Sequence, residues 1–126
     1  NEIDHWNKYK DIVVKKIENL LGCKIKNVGL MLRKMITKEL LKSKTNTPYG
    51  IVHHDPDHQF AAILPFYQCN SGGTAFFEHI FDKYPDIQIG AYPNRLIIYD
   101  AQRNHSPCTD FTFKETHKLN VFFDKV

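Results

Sequence analysis

The chain has 126 residues, 42% of them apolar and 13% aromatic, which suits one packed domain (1-126) and excludes a disordered or fibrous segment. No run approaches the ~18 apolar residues of a membrane span, and Asn1 to Lys10 is too charged for a signal peptide, so a soluble cytoplasmic protein is expected. The net charge of +3 is uneven: residues 1–47 carry 11 Lys/Arg against 5 Asp/Glu, and residues 48–126 carry 6 against 9. The lysines are scattered rather than gathered in a block with interleaved aromatics, so nucleic acid is an unfavoured partner. Opening on Asn1 rather than Met reads as a processed form or part of something longer.

From Asp4 to Leu21 the apolar residues Trp6, Tyr9, Ile12, Val13, Ile17, Leu20 and Leu21 form the stripe of an amphipathic helix, with Asp4 as its cap, Gly22 as its stop and Trp6 as its anchor. Residues 23–36 alternate Ile25, Val28, Leu30, Leu32 and Met35 with lysines, which predicts one or two strands interrupted near Asn27-Val28-Gly29. A short helix over 37–42 is an equal alternative. Ser43 to Pro48 is a polar breaker that separates this leading part (1–47) from a back half (48–126) of different texture.

The back half predicts strands at Tyr49 to His54, Phe60 to Tyr67, Gly73 to Phe77, Ile87 to Ala91, Arg95 to Tyr99 and Lys118 to Phe123. Turn formers separate them at Asp55-Pro56-Asp57, Asn70-Ser71-Gly72-Gly73, Pro93-Asn94 and Ser106-Pro107. The pattern is that of a mainly β domain of two sheets with one N-terminal helix packed outside. Cys23, Cys69 and Cys108 form no CxxC pair and are expected as free thiols.

Seven histidines is a high number for this length, and three of them stand in His53-His54-Asp55-Pro56-Asp57-His58 at the end of a predicted strand. Side chains two apart on a strand share a face, about 6.5 to 7 Å apart at the backbone, so His53 and Asp55 can lean onto one cation while His54 points away. A site of two imidazoles and one carboxylate with an open opposite face suits non-haem Fe(II), and it needs a second histidine from elsewhere. His105 offers one, where the strand through Tyr99 runs into the polar turn Asp100 to Pro107. Thirteen residues later Lys118 opens the last predicted strand, placed to pair with a carboxylate.

His53-x-Asp55, Gly72-Gly73-Thr74-x-Phe76, His105 and Lys118, in that order, resemble the Fe(II)/2-oxoglutarate-dependent dioxygenases, in particular their prolyl 4-hydroxylase-like branch. The resemblance spans Tyr49 to Phe123, about three fifths of the chain. It implies a double-stranded β-helix, a cupin-like jelly roll, with iron held by His53, Asp55 and His105. It also implies 2-oxoglutarate chelated to the iron with its distal carboxylate on Lys118, and Tyr49 and Tyr67 as further cosubstrate contacts. Arg103 and Asn104 would then lie at the substrate rim. The implied reaction uses O2 to hydroxylate a C–H bond, on a protein or peptide side chain where the likeness extends to substrate. Loops 78–86 and 100–116 would set selectivity.

Two other readings accompany this one. A catalytically silent jelly-roll module of a larger assembly would keep the histidines as a relic, and a structural zinc site would add a fourth ligand such as Cys108 to make a closed tetrahedron. Asp57, His58, His5, His79 and His117 read as ordinary turn or surface residues, His117 facing away from Lys118. The phenylalanines at 60, 66, 76, 77, 111, 113, 122 and 123 read mostly as core.

Overall fold

The computed structural model describes residues 2–36, 51–66, 69–108 and 115–126. Among these residues it is mostly β, with a single helix, α1 (Glu2–Leu21), ahead of seven strands: β1 (Ile25–Ile36), β2 (Phe60–Pro65), β3 (Cys69–Phe76), β4 (Ile87–Ala91), β5 (Ile97–Asp100), β6 (His105–Cys108) and β7 (Glu115–Lys125). No helix among the described residues is long and apolar enough to cross a membrane. The strands form two antiparallel sheets, one in the order β1-β7-β2-β5 and one in the order β4-β3-β6.

α1 lies on the outer face of the larger sheet because both surfaces carry apolar stripes. Ile17 is wholly buried against Ile25, Ala62, Leu119, Val121 and Phe123, with Tyr9, Val13 and Val14 alongside. The helix starts at Glu2, ahead of the expected cap at Asp4, so both acids fall in the first turn, where the helix dipole favours negative charge. It stops as expected at Gly22, whose φ of 68° and N–H to the Glu18 carbonyl (2.9 Å) make a left-handed C-terminal turn. The Glu18 carboxylate then accepts the Ile25 N–H at 3.0 Å, which fixes the entry into β1. Trp6 is less of an anchor than expected. It remains 37% exposed and rests against Tyr9 with ring centroids 6.1 Å apart.

The interruption predicted near Asn27 is a bulge. Between the pairs Lys26 with Asp124 and Gly29 with Phe122, β1 has two residues to one on β7, and Asn27 takes φ 54°. Its side-chain amide donates to Asp124 Oδ2 at 2.9 Å.

Because neighbours alternate, burial of Leu119, Val121 and Phe123 beneath α1 turns Lys118, Asn120 and Phe122 to the inner face. There, Tyr99 of β5 meets Phe76 and His105 of the other sheet, with centroids 5.0 and 4.9 Å away.

Three local expectations change. His105–Cys108 is a strand paired with β3 rather than a turn. Ser106 and Pro107 mislead because proline also fits a strand whose N–H side is not needed for the ladder. Residues 49–54 give a single bridge at His53 among those described. Asn70 to Gly73 lies within β3, as a register irregularity against β4 ending at Gly73 with φ 137°. The alternative helix at 37–42, the breaker at 43–48 and Phe111 and Phe113 lie outside the described residues.

Candidate metal centre

Two backbone ladders bring the H-x-D segment to His105. The His53 N–H donates to the His105 carbonyl at 2.9 Å and the His105 N–H returns to the His53 carbonyl at 2.8 Å. The Asp55 N–H donates to Ala101 O at 2.8 Å, and the Ala101 N–H to Gln59 O at 2.9 Å. The segment is thus stitched on both sides of the metal motif to the loop that ends in His105. The Gln102 side-chain amide adds a third tie, with Nε2 lying 3.2, 3.3 and 3.2 Å from the carbonyls of Asp55, Pro56 and His58.

The three predicted ligands come together: one donor atom from each of His53, Asp55 and His105 lies within 4.8 Å of the others. His105 Nε2 stands 3.1 Å from Asp55 Oδ2, and His53 Nε2 stands 3.8 Å from Asp55 Oδ1. Both rings are oriented by backbone carbonyls on their far side, His53 Nδ1 by Ile51 O at 2.8 Å and His105 Nδ1 by Arg103 O at 2.7 Å. A carbonyl only accepts, so each Nδ1 carries a proton, and the Nε2 of each ring faces Asp55.

That arrangement has an electrostatic consequence. Burial holds the His105 imidazole below its ordinary pKa; the Arg103 carbonyl and Asp55 oppose the shift, while His53 and Lys118 add to it. A neutral Nε2 and a carboxylate oxygen 3.1 Å apart are two acceptors facing each other, and only a shared proton or a cation makes the contact favourable. The distance is close to the roughly 3 Å between neighbouring ligands of an octahedral ion with bonds of about 2.1 Å. Two imidazole nitrogens and one carboxylate oxygen are a donor set suited to Fe(II), and the residues fit it.

The centre is open on one side. The side chains of His53, Asp55 and His105 are 41, 25 and 6% exposed, so the depth of the site lies at His105 and its mouth at His53. Tyr99 and Phe76 wall the buried ring, with centroids 4.9 and 6.4 Å from it. Burial, reinforced by Asp55 and opposed by Arg33, pushes the Tyr99 phenol well above its ordinary range, so it remains a hydrogen-bond donor. Lys118 stands on the inner face of β7, opposite Pro65 and Arg33, near enough for its charge to act on His105.

Tyr49 and Tyr67 lie outside the described residues. Arg103 pairs with Asp86 at 3.2 Å and lies over the Phe76 ring at 5.7 Å, while the Asn104 amide reaches Glu78 O at 3.3 Å. Both are tied to the 78–86 connection, which exposes Phe81 and Tyr84. His58 belongs elsewhere, 3.8 Å from Asp124 and stacked on Phe122. The Cys108 side chain, the fourth ligand of the zinc reading, lies outside what the structure describes.

The sequence reading missed Tyr99 and Gln102. Tyr99 had a usable signal, since it alternates with Ile97 on a strand leading to His105; Gln102 acts through a turn, which leaves no mark in composition. Comparison of the chain with models of known protein families and with curated proteins finds no match.

Proposed function

We propose that this protein is an Fe(II)- and 2-oxoglutarate-dependent dioxygenase that hydroxylates a C–H bond, on a double-stranded β-helix. The observation that carries the reading is the contact between His105 Nε2 and Asp55 Oδ2 in an open three-ligand cluster whose rings are already oriented from behind. A cation relieves the repulsion between those acceptors.

The strand order supports the fold. Counting the bridged segment at His53 as the second strand of eight, the first pairs with the last (β1 with β7), the second with the seventh (His53 with β6), the third with the sixth (β2 with β5) and the fourth with the fifth (β3 with β4). Such nested pairing is what one long antiparallel ribbon wound into a jelly roll would give. It puts the ends of the second and seventh strands, with His53, Asp55 and His105, at one mouth of the domain.

In this reading His53, Asp55 and His105 hold the metal on one face, leaving the other to the cosubstrate and O2. Bound Fe(II) with 2-oxoglutarate supplies the oxidising chemistry: the keto acid and O2 give succinate and CO2, and one oxygen atom enters the C–H bond. Lys118 anchors the distal carboxylate. Tyr99 and Phe76 shield the His105 ring from water, and Tyr99 offers a neutral donor beside Asp55. The 78–86 connection stands at the rim, where a protein or peptide substrate would dock.

Succinate release from 2-oxoglutarate under air tests the proposal, since the uncoupled reaction needs no identified substrate. We expect Fe(II)-dependent turnover in wild type and a fall of at least about 100-fold in His53→Ala, Asp55→Ala and His105→Ala. Wild-type protein that takes up Fe(II) yet releases no succinate would count against it.

A further inference from the structure

Asp124, near the end of β7, is no part of the metal cluster, yet its carboxylate joins two segments distant in the chain. Oδ2 accepts the Asn27 side-chain amide at 2.9 Å, and Oδ1 accepts the Gln59 backbone N–H at 2.8 Å. The next residue repeats the clasp, the Lys125 N–H donating to Gln59 Oε1 at 2.9 Å. The Asn27 amide, with the Gln59 N–H second, holds the Asp124 carboxyl below the usual carboxylate range, so both bonds are charge-assisted at neutral pH. A bulge re-aims a side chain, and the one in β1, with Asn27 at φ 54°, aims its amide at this carboxylate.

Gln59 carries the clasp to the metal centre. The pairing of β2 with β7 begins at Phe60 with Phe123, so Gln59 lies one residue outside that ladder and is held to β7 by side chains. Its carbonyl accepts the Ala101 N–H at 2.9 Å, and the Ala101 carbonyl accepts the Asp55 N–H at 2.8 Å. The wholly buried Ala101 is thus bonded to both ends of the turn from Asp55 to Gln59. Gln102 gathers that turn from within, and His58 stacks on Phe122 of β7. We infer that Asp124 is a positioning residue of the metal centre: by holding Gln59, and by being held itself by Asn27, it fixes the exit of the turn and so the direction from which the Asp55 carboxylate meets the cation. This rests on the part of the proposed function in which His53, Asp55 and His105 hold a metal ion, and not on the cosubstrate.

The test titrates metal-free wild type, Asp124→Ala, Asp124→Asn and Asn27→Gly with Fe(II) under anaerobic conditions and with Co(II), whose visible ligand-field spectrum reports coordination geometry. Melting temperatures check folding. Asp124→Ala should bind both ions about tenfold more weakly and show an altered Co(II) spectrum at saturation. In Asp124→Asn the amide oxygen can still accept the Gln59 N–H while its NH2 donates to a turned Asn27 amide, so this variant should recover most of the affinity and the wild-type spectrum. Asn27→Gly keeps the positive φ and removes only the amide, and should weaken binding about threefold; it carries the test if Asp124→Ala does not fold. Wild-type affinity in a folded Asp124→Ala, or in Asn27→Gly where that variant stands in for it, would overturn the role of Asp124 and leave the metal centre standing. Weaker binding with an unchanged Co(II) spectrum would also overturn it, since the ligand geometry would then not depend on the clasp. Wild-type protein that binds neither ion would overturn the metal centre itself, and this inference with it.

Discussion

At the scale of the residue, the site is governed by where protons sit. Burial favours the neutral form of His105, its Nδ1–H is committed to the Arg103 carbonyl, and its Nε2 faces a carboxylate. The folded-state pKa of this imidazole lies below the ordinary 6.5, so below that pH the unfolded chain takes up the proton first. The stability contributed by the neutral ring is therefore complete above about pH 6.5 and is lost as the pH falls through the shifted value. Urea unfolding of metal-free protein near pH 5 and near pH 7.5 should show this loss in wild type and a smaller one in His105→Asn. An equal loss in both would assign the effect to other groups. Gln102 tests orientation rather than ligation. Its amide gathers three carbonyls of the turn that carries Asp55, so Gln102→Ala should weaken Fe(II) binding about tenfold, read by metal titration, with little change in the unfolding midpoint.

At the scale of the element, two irregularities fix the register that delivers these side chains. Asn27 and the bulge set β1 against β7, which brings Arg33 opposite Lys118. Gly73, with φ 137°, sets β3 against β4 and β6, which brings Phe76 opposite His105. A Cβ at Gly73 would collide with the Ile89 carbonyl, and its backbone conformation is strained for any other residue. Gly73→Ala should accordingly cost about 2 kcal/mol or more in denaturant unfolding, and an unfolding midpoint like that of wild type would contradict the register argument. Periodicity predicted α1, β2, β4 and much of β5 and β7 because each carries its own apolar pattern. β6 escaped it because Ser106 and Pro107 read as turn formers, and its strand character comes from pairing with β3. The segment at His53 was legible as chemistry, through its H-x-D spacing, more than as structure, where it forms a single bridge.

At the scale of the whole molecule, the nested pairing explains why a centre built from residues 53, 55 and 105 is assembled at all. The strand carrying His53 can meet β6 only after the intervening strands have folded back on themselves, so the site depends on long-range pairing rather than on any local segment. The same winding separates two environments on one sheet. The outer face packs on α1 through Leu119, Val121 and Phe123, and the inner face turns Lys118 and Tyr99 toward His105. His53, Asp55 and His105 were recoverable from sequence because their residue types and spacing are chemically restrictive. The placement of Arg33 opposite Lys118 emerges only from the register between strands distant in the chain. The most direct test of the account is an anaerobic titration of metal-free protein with Fe(II) and then 2-oxoglutarate, followed by its visible charge-transfer band. The account predicts a saturable band in wild type that is lost in His105→Ala; a wild-type protein that binds neither iron nor the keto acid would contradict it.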